Sequence, residues 1–220
     1  MTADGFRAVI FDFGGVFTTS PVENFAAYEK QRGLPDRFIG GVIKANLHHG
    51  AFARFERSEI PFAEFDALFA AETRAAGHEI SGRDFVALLD VALKPEMVTA
   101  LRRVKAAGLK TGCITNNFEG VDPVRSERKA HGEAPIREVF AMFDHVIESS
   151  KAGVRKPEPR IYEMMLEALG LPASACVFLD DLGVNLKPAQ AMGMRTIKVP
   201  FGDVRPAIEE LSAALGVALA

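Results

Sequence analysis

Residues 7–16 read Arg7-Ala8-Val9-Ile10-Phe11-Asp12-Phe13-Gly14-Gly15-Val16: a short apolar run, an acid at its end, and a pair of glycines. An apolar run of this length bounded by turn formers predicts a strand over Arg7–Phe11, buried on both faces as in the middle of a parallel sheet. Gly14-Gly15 let the chain turn tightly after the strand and bring N–H groups, that of Gly15 included, towards an anion. Further along, short apolar runs recur at Lys110–Thr115, His145–Glu148, Cys176–Leu179 and Thr196–Val199. Between them lie helix-spaced stretches at Glu96–Ala107, Arg160–Leu169, Asn185–Met192 and Val204–Leu215. The alternation predicts βα units and a mostly parallel sheet. Gly108 and Gly170 fall just past helix ends, where a left-handed residue is wanted.

Residues 20–92 break this rhythm. Phe25–Gln31, Arg37–Leu47, Phe62–Ala76 and Arg83–Leu93 read as helices, with Pro21, Pro35, Pro61 and Ser81 near their starts. Phe52, Phe55, Phe62, Phe65 and Phe69 recur at helical spacing and predict an apolar seam inside a small bundle. The expected plan is a Rossmann-like α/β core over 1–19 and 93–220, with a helical domain over 20–92 inserted after the first strand.

Composition narrows the function. The chain has 220 residues, 48% of them hydrophobic, and a formal net charge of −3. Its 26 Lys and Arg are spread along the sequence rather than gathered in a stripe, which argues against nucleic acid as a partner. No apolar run approaches the ~20 residues of a bilayer span, and the first run is too short for a signal peptide. The expectation is a cytoplasmic protein with no membrane partner. Cys113 and Cys176 lie inside apolar segments and are expected to pack rather than react. His48, His49, His78, His131 and His145 show no paired metal-ligand spacing, so zinc is not expected.

Ligands of open α/β sheets bind beyond the carboxyl ends of the strands. The residues that follow the strands are Asp12-Phe13-Gly14-Gly15, Thr115-Asn116-Asn117, Ser149-Ser150 with Lys156-Pro157, and Asp180-Asp181. Three carboxylates facing one lysine leave negative charge that a low-dielectric cleft penalises by several kcal/mol. A hard divalent ion removes the penalty, and carboxylate and carbonyl oxygens suit Mg²⁺.

Four runs carry a resemblance that covers nearly the whole chain. They are Val9-Ile10-Phe11-Asp12-Phe13-Gly14-Gly15-Val16, Ile114-Thr115-Asn116-Asn117, Arg155-Lys156-Pro157-Glu158-Pro159-Arg160-Ile161-Tyr162, and Val177-Phe178-Leu179-Asp180-Asp181-Leu182-Gly183-Val184-Asn185. In this order and spacing they resemble the four motifs of the haloacid dehalogenase-like superfamily. A narrower resemblance, through Phe143-Asp144, Ile147-Glu148-Ser149 and Asn185-Leu186-Lys187, is to the phosphatase-like amino-terminal domains of soluble epoxide hydrolases and of a multidomain acyl-CoA dehydrogenase.

The resemblance implies hydrolysis of a small phosphorylated metabolite. Asp12 would attack phosphorus and form an aspartyl-phosphate. Thr115 and Asn116 would hold phosphoryl oxygens, and Lys156 would neutralise both nucleophile and phosphoryl group. Asp12, the Gly14 carbonyl and Asp181 would ligate Mg²⁺, with Asp180 acting through water or on Lys156. Asn117 and Asn185 are candidates for substrate contact or loop pinning, and residues 20–92 would form the mobile cap.

One position departs from the pattern. Most phosphatases of the superfamily carry a second Asp two residues after the nucleophile, as general acid and base; here that residue is Gly14. Two alternatives follow: a 2-haloacid dehalogenase, whose halide leaving group needs no proton, or a weakly active or non-catalytic module that binds a phospho-ligand or a partner. Cap residues considered for the cleft are Asn24, Lys44, His48, His49, Arg54 and Arg57, with the histidines as substitute acids. The substrate, the oligomeric state and the role of the charged segment Phe118–Glu138 stay open.

Overall fold

The computed structural model describes residues 5–89, 92–117 and 136–219. Five strands, β1 (Ala8–Phe11), β2 (Lys110–Thr115), β3 (His145–Glu148), β4 (Cys176–Asp180) and β5 (Arg195–Lys198), form one sheet in the order β3-β2-β1-β4-β5. Every pairing is parallel, so the α/β class expected from the sequence is the one observed. After β1 come helices α1 (Pro21–Arg32), α2 (Phe38–Ala45), α3 (Ala51–Glu56), α4 (Phe62–Ala75) and α5 (Gly82–Ala87). The chain then re-enters the sheet through α6 (Pro95–Ala106); α7 (Ser149–Ala152) and α8 (Pro159–Leu169) follow β3, α9 (Gly183–Ala191) follows β4, and α10 (Arg205–Leu215) follows β5.

The central strand is buried from end to end because its alternate residues feed two cores. Val9 and Phe11 join the cluster under α6 and α10, with Leu101, Val104, Ile208 and Leu211. Ala8 and Ile10 join the opposite cluster, with Ile161, Met165 and Phe178. This period of two, apolar on both faces, is what a helix-covered parallel strand requires. Strands β2 and β3 lie on one side of β1 and β4 and β5 on the other, so the chain reverses its winding between β1 and β4 and opens a crevice at their carboxyl ends.

Helices α1–α5 have a core of their own. Phe25, Phe55, Phe65, Phe69 and Phe85 are buried there, and Phe52 and Phe62 pack against them. The Phe55 and Phe65 rings stack at 4.5 Å, and Phe69 meets Phe85 at 4.6 Å. A fully buried phenylalanine contributes about 1.5–3 kcal/mol relative to exposure, so the aromatic seam supplies much of this unit's cohesion.

Several boundaries differ from the expected ones. The helix anticipated over Arg83–Leu93 ends at Ala87, because Leu93 forms an antiparallel bridge with Thr18 instead. The Thr19 N–H donates to the Ala92 carbonyl at 2.8 Å and the Lys94 N–H to that of Phe17 at 2.7 Å, so the two chain crossings into the helical unit run side by side. Helix α3 was not anticipated; Gly50 precedes it in extended conformation and interrupts the helical pattern. Strand β5 begins one residue earlier than expected, its register pairing Arg195 with Val177 and Lys198 with Asp180. Residues 118–135 of the charged segment lie outside the described residues.

Asp144 pins the opening of β3 to β2. Its Oδ2 accepts the Thr111 N–H at 2.7 Å and Oγ1–H at 3.0 Å, and its Oδ1 accepts Lys105 Nζ at 2.7 Å. Partial burial opposes the charge, but the Lys105 and Thr111 bonds outweigh it and hold the carboxyl below its ordinary value. A lowered carboxylate stabilises the fold above its unfolded pKa, and that contribution is lost as pH falls through the folded value, below about pH 4. Thermal midpoints of wild type and Asp144→Asn should therefore be separated at pH 7 and converge on acidification; parallel curves would refute the assignment.

Candidate active site

Asp12 follows β1, and its N–H donates to the Leu179 carbonyl of β4 at 2.8 Å, which seats it at the switch point. Its Oδ1 accepts the Phe13 N–H at 2.6 Å and lies 2.7 Å from Lys156 Nζ. The same ammonium donates to Asp180 Oδ2 at 2.9 Å. Asp180 is fully engaged: Oδ1 accepts the Leu182 N–H at 2.8 Å, and Asn185 Nδ2 lies 3.1 Å from each oxygen. Asp180 thus touches Lys156 directly while remaining in the acidic cluster. Carboxylate oxygens of Asp12, Asp180 and Asp181 lie within 4.8 Å of one another, and all three residues are buried.

Lys156 pairs with two of the three carboxylates, Asp12 and Asp180, and burial of the cluster is visible in the ionisation of Asp12 and Asp181. Burial first, then the neighbouring acids against the pull of Lys156, pushes Asp12 well above the ordinary aspartate value. Burial and Asp180 raise Asp181 to about 6. Burial opposes the charge on Lys156, but Asp12 and Asp180 overcome it and hold the ammonium protonated. A cation among these oxygens would remove the penalty, so the donor set fits a hard divalent ion.

Glycine is required at 15 but not at 14. Gly15 has φ +76°, and a β-carbon there would collide with the Asp181 carboxylate. Its N–H, expected to face an anion, donates to Thr18 Oγ1 at 3.3 Å; what Gly15 supplies is room for Asp181. Gly14 is exposed, and a β-carbon there would meet no atom within 4 Å.

Thr115 ends β2, next to β1 in the sheet, and is buried. The side chain of Asn116 closes on the backbone of Lys156, Oδ1 accepting its N–H at 2.9 Å and Nδ2 donating to its carbonyl at 3.0 Å. Here that side chain positions the lysine. Asn117 Nδ2 donates to Glu148 at 2.7 Å and Oδ1 accepts Ser150 Oγ–H at 2.9 Å, contacts that tie the loop after β2 to the end of β3.

Two lysines went unnoticed in the sequence. Lys94 is buried and donates through Nζ to the Gly15 carbonyl at 3.0 Å, and Lys198 Nζ donates to the Asp181 carbonyl at 3.0 Å. Each caps a carbonyl of a loop that carries the acids. Lys198 lies inside the run Thr196–Val199 expected as the fifth strand rather than after it, so a search of the residues that follow strands does not reach it.

The candidate cap residues sit elsewhere. His48, His49, Arg54 and Arg57 line a cleft of about 660 Å³ with Glu59, Gly153 and Glu158, and none of the three clustered acids lines it. Asn24 Nδ2 is bonded to the Leu88 carbonyl at 2.9 Å, and Lys44 is exposed. His78 stacks edge-on against Phe38 at 5.3 Å. Cys113 and Cys176 are buried, and burial pushes their thiols up, Cys176 to about 11, as fits packing residues. Among the described residues no helix is long and apolar enough to cross a membrane.

The strand order, with an acidic centre at its switch point and a helical unit inserted behind the first strand, is the plan of a Rossmann-like hydrolase core. Residues 6–193 match the sequence model of the haloacid dehalogenase-like hydrolases, and the chain belongs to that family of enzymes. It is 35% identical over 222 residues to acyl-CoA dehydrogenase family member 10 of Mus musculus, and 31% identical over 224 residues to bifunctional epoxide hydrolase 2 of Sus scrofa. These alignments cover 97% of the chain but only 20% and 39% of those longer proteins. Phosphatase MT3486 of Mycobacterium tuberculosis is 30% identical over 96% of both chains. Among solved structures, the HAD family enzyme BT-2542 of Bacteroides thetaiotaomicron, in complex with magnesium and inorganic phosphate, shares the fold. Its TM-score is 0.59 at 21% identity, over 90% of this chain and 96% of that one.

Proposed function

We propose that the chain is a Mg²⁺-dependent phosphatase of small phosphate monoesters that works through an aspartyl-phosphate on Asp12. The observation that carries this reading is the Lys156 ammonium held between Asp12 and Asp180, with Asp181 completing a cluster of acids at the switch point. Phosphoryl transfer needs chiefly positioning and neutralisation of charge on oxygen, and this arrangement is built for both. The 30% identity to a full-length relative named a phosphatase supports the class of reaction.

In the proposed cycle the Asp12 carboxylate attacks phosphorus, an O–P bond forms and the ester P–O bond breaks. Lys156 neutralises charge on the nucleophile and the transferring group. Thr115 supplies a hydroxyl to the phosphoryl oxygens, and Asn116 keeps Lys156 in place. The leaving alkoxide takes its proton from water, since Gly14 has none to give. Water then attacks phosphorus and the Asp12 O–P bond breaks, releasing phosphate and the Asp12 carboxylate, while the proton this water sheds neutralises the hydroxide left by the first step. Asp12, the Gly14 carbonyl and Asp181, with Asp180 beside them, would hold Mg²⁺, whose chemistry is to neutralise phosphoryl and carboxylate oxygens. Helices α1–α5, within residues 20–92, would act as the cap that closes over this centre and excludes water.

The same missing acid suits a 2-haloacid dehalogenase, and one comparison separates the readings. An aryl phosphate ester and 2-chloropropionate should each be incubated with the enzyme, with Mg²⁺ and with chelator. Phosphate release that requires Mg²⁺ is the expected result. Chloride release indifferent to chelator, or no turnover of either compound, would overturn the phosphatase reading.

A further inference from the structure

Arg155 immediately precedes Lys156 and is 6% exposed, yet the proposed chemistry does not use it. Its guanidinium leaves the core altogether. Nη2 pairs with Oε2 of Glu56 on α3, a residue 4% exposed, and Nη1 donates to the Leu47 carbonyl at 2.7 Å. Two more bonds cross the same boundary: Ser149 Oγ donates to the Glu56 carbonyl at 2.8 Å, and Arg57 Nη1 reaches Glu158 Oε1 at 3.3 Å. Ser149 in turn accepts the Asn117 N–H at 2.9 Å. The loop that carries Lys156 is thus held from the core by Asn116 and from the helical unit through Arg155 and Glu158.

A buried Arg–Glu pair gains little net stability, because desolvation of both charges offsets most of their attraction. Across the boundary between the helical unit and the core its effect is of another kind: it fixes one docking geometry, that in which Glu56 meets Arg155.

We propose that Arg155 is a positioning residue that makes the placement of Lys156 conditional on docking of helices α1–α5, so that Asp12 is readied for attack only when the cap is closed. The proposal rests on the phosphatase reading above for its kinetic consequence, though not for the docking itself. With the cap open, Arg155 loses Glu56 and Leu47 and the Lys156 loop keeps only its core-side anchor. With the cap closed both anchors hold.

The test uses the full chain carrying Arg155→Met, Arg155→Lys or Glu56→Gln. For each, kcat and KM for an aryl phosphate ester with Mg²⁺ are measured, with the thermal midpoint and amide hydrogen exchange of residues 47–56 in the absence of substrate. A misplacement of about 1 Å at a reacting group costs roughly 10²-fold, so Arg155→Met is expected to lower kcat by about that factor while KM changes less. Arg155→Lys, which keeps a charge for Glu56, should recover most of the loss. Glu56→Gln acts from the cap side without changing any residue of the Lys156 loop and should lower kcat in the same sense; it carries the test if Arg155→Met folds poorly. Exchange over residues 47–56 should quicken in Arg155→Met and Glu56→Gln. An unchanged kcat in a folded variant, a loss no larger than the unfolded fraction explains, or unchanged exchange overturns the proposal. If the wild type releases no phosphate, the phosphatase reading fails, while the exchange comparison still decides whether Arg155 docks the helical unit.

Discussion

Asp12→Asn should lower phosphate release by at least about 10⁴-fold, the scale seen when a covalent nucleophile is removed, and should leave the fold intact. The carboxamide is isosteric, and its oxygen can still accept the Phe13 N–H that now bonds Oδ1 at 2.6 Å. It cannot form the acyl-phosphate, because a neutral amide is a poor nucleophile towards phosphorus. Stability points the other way from activity. Removing one partner of a buried ion pair ordinarily costs about 3–5 kcal/mol, because a charge is left without compensation. Lys156 would keep Asp180 at 2.9 Å, and Asp12 belongs to a cluster already carrying surplus negative charge. The thermal midpoint without Mg²⁺ should therefore stay level or rise. Phosphate release above about 1% of wild type would exclude the covalent route, and a collapse of the midpoint would show that Asp12 is mainly structural.

The sequence exposed the parts of this site that chain order arranges. Asp12, Thr115 and Asp180 each end a strand or directly follow one, so finding the strands was enough to bring them together. Gly15 was singled out for a tight turn and for its N–H; the structure adds the space its missing β-carbon leaves for Asp181. That space depends on which loop packs across the turn, and no local pattern reports it. Asn116 and Asn117 look alike in the sequence, yet one clamps the Lys156 backbone and the other ties β2 to the end of β3. Lys94, Arg155 and Lys198 were the least legible. Lys94 and Lys198 act by donating to backbone carbonyls, and Arg155 by crossing to a helix about a hundred residues away in the chain, so tertiary packing alone gives them partners. The fold shows the same division. Strand β1 was readable because both faces are apolar, while the end of α5 was not, because the bridge from Leu93 to Thr18 overrides local helical spacing.

Gly14→Asp is expected to raise activity, and the substrate dependence of the gain is the decisive part. The position has the space for a side chain: Gly14 is exposed and a β-carbon there is clear of every atom beyond its chain neighbours to 4 Å. Gly15 offers the contrast, with its positive φ and the Asp181 carboxylate in the space a β-carbon would take. General acid help is worth roughly 10²–10⁴-fold where the leaving group needs a proton, so kcat on alkyl phosphate esters should rise by about 10²-fold. On an aryl ester with a stable phenolate leaving group that help is redundant for the first step, and the gain should be small. The added carboxyl also joins a cluster short of positive charge, which works against the gain and raises the Mg²⁺ concentration needed for half-maximal rate. Exposure limits that penalty, because water screens a group at the rim far better than one at 0% exposure such as Asp180. The ratio of alkyl to aryl rates isolates the proton from the charge, since extra repulsion slows both substrates alike. A ratio that rises in Gly14→Asp establishes that the missing proton limits the wild-type enzyme on alkyl esters; a ratio that stays put means that another group, or a water, already delivers it.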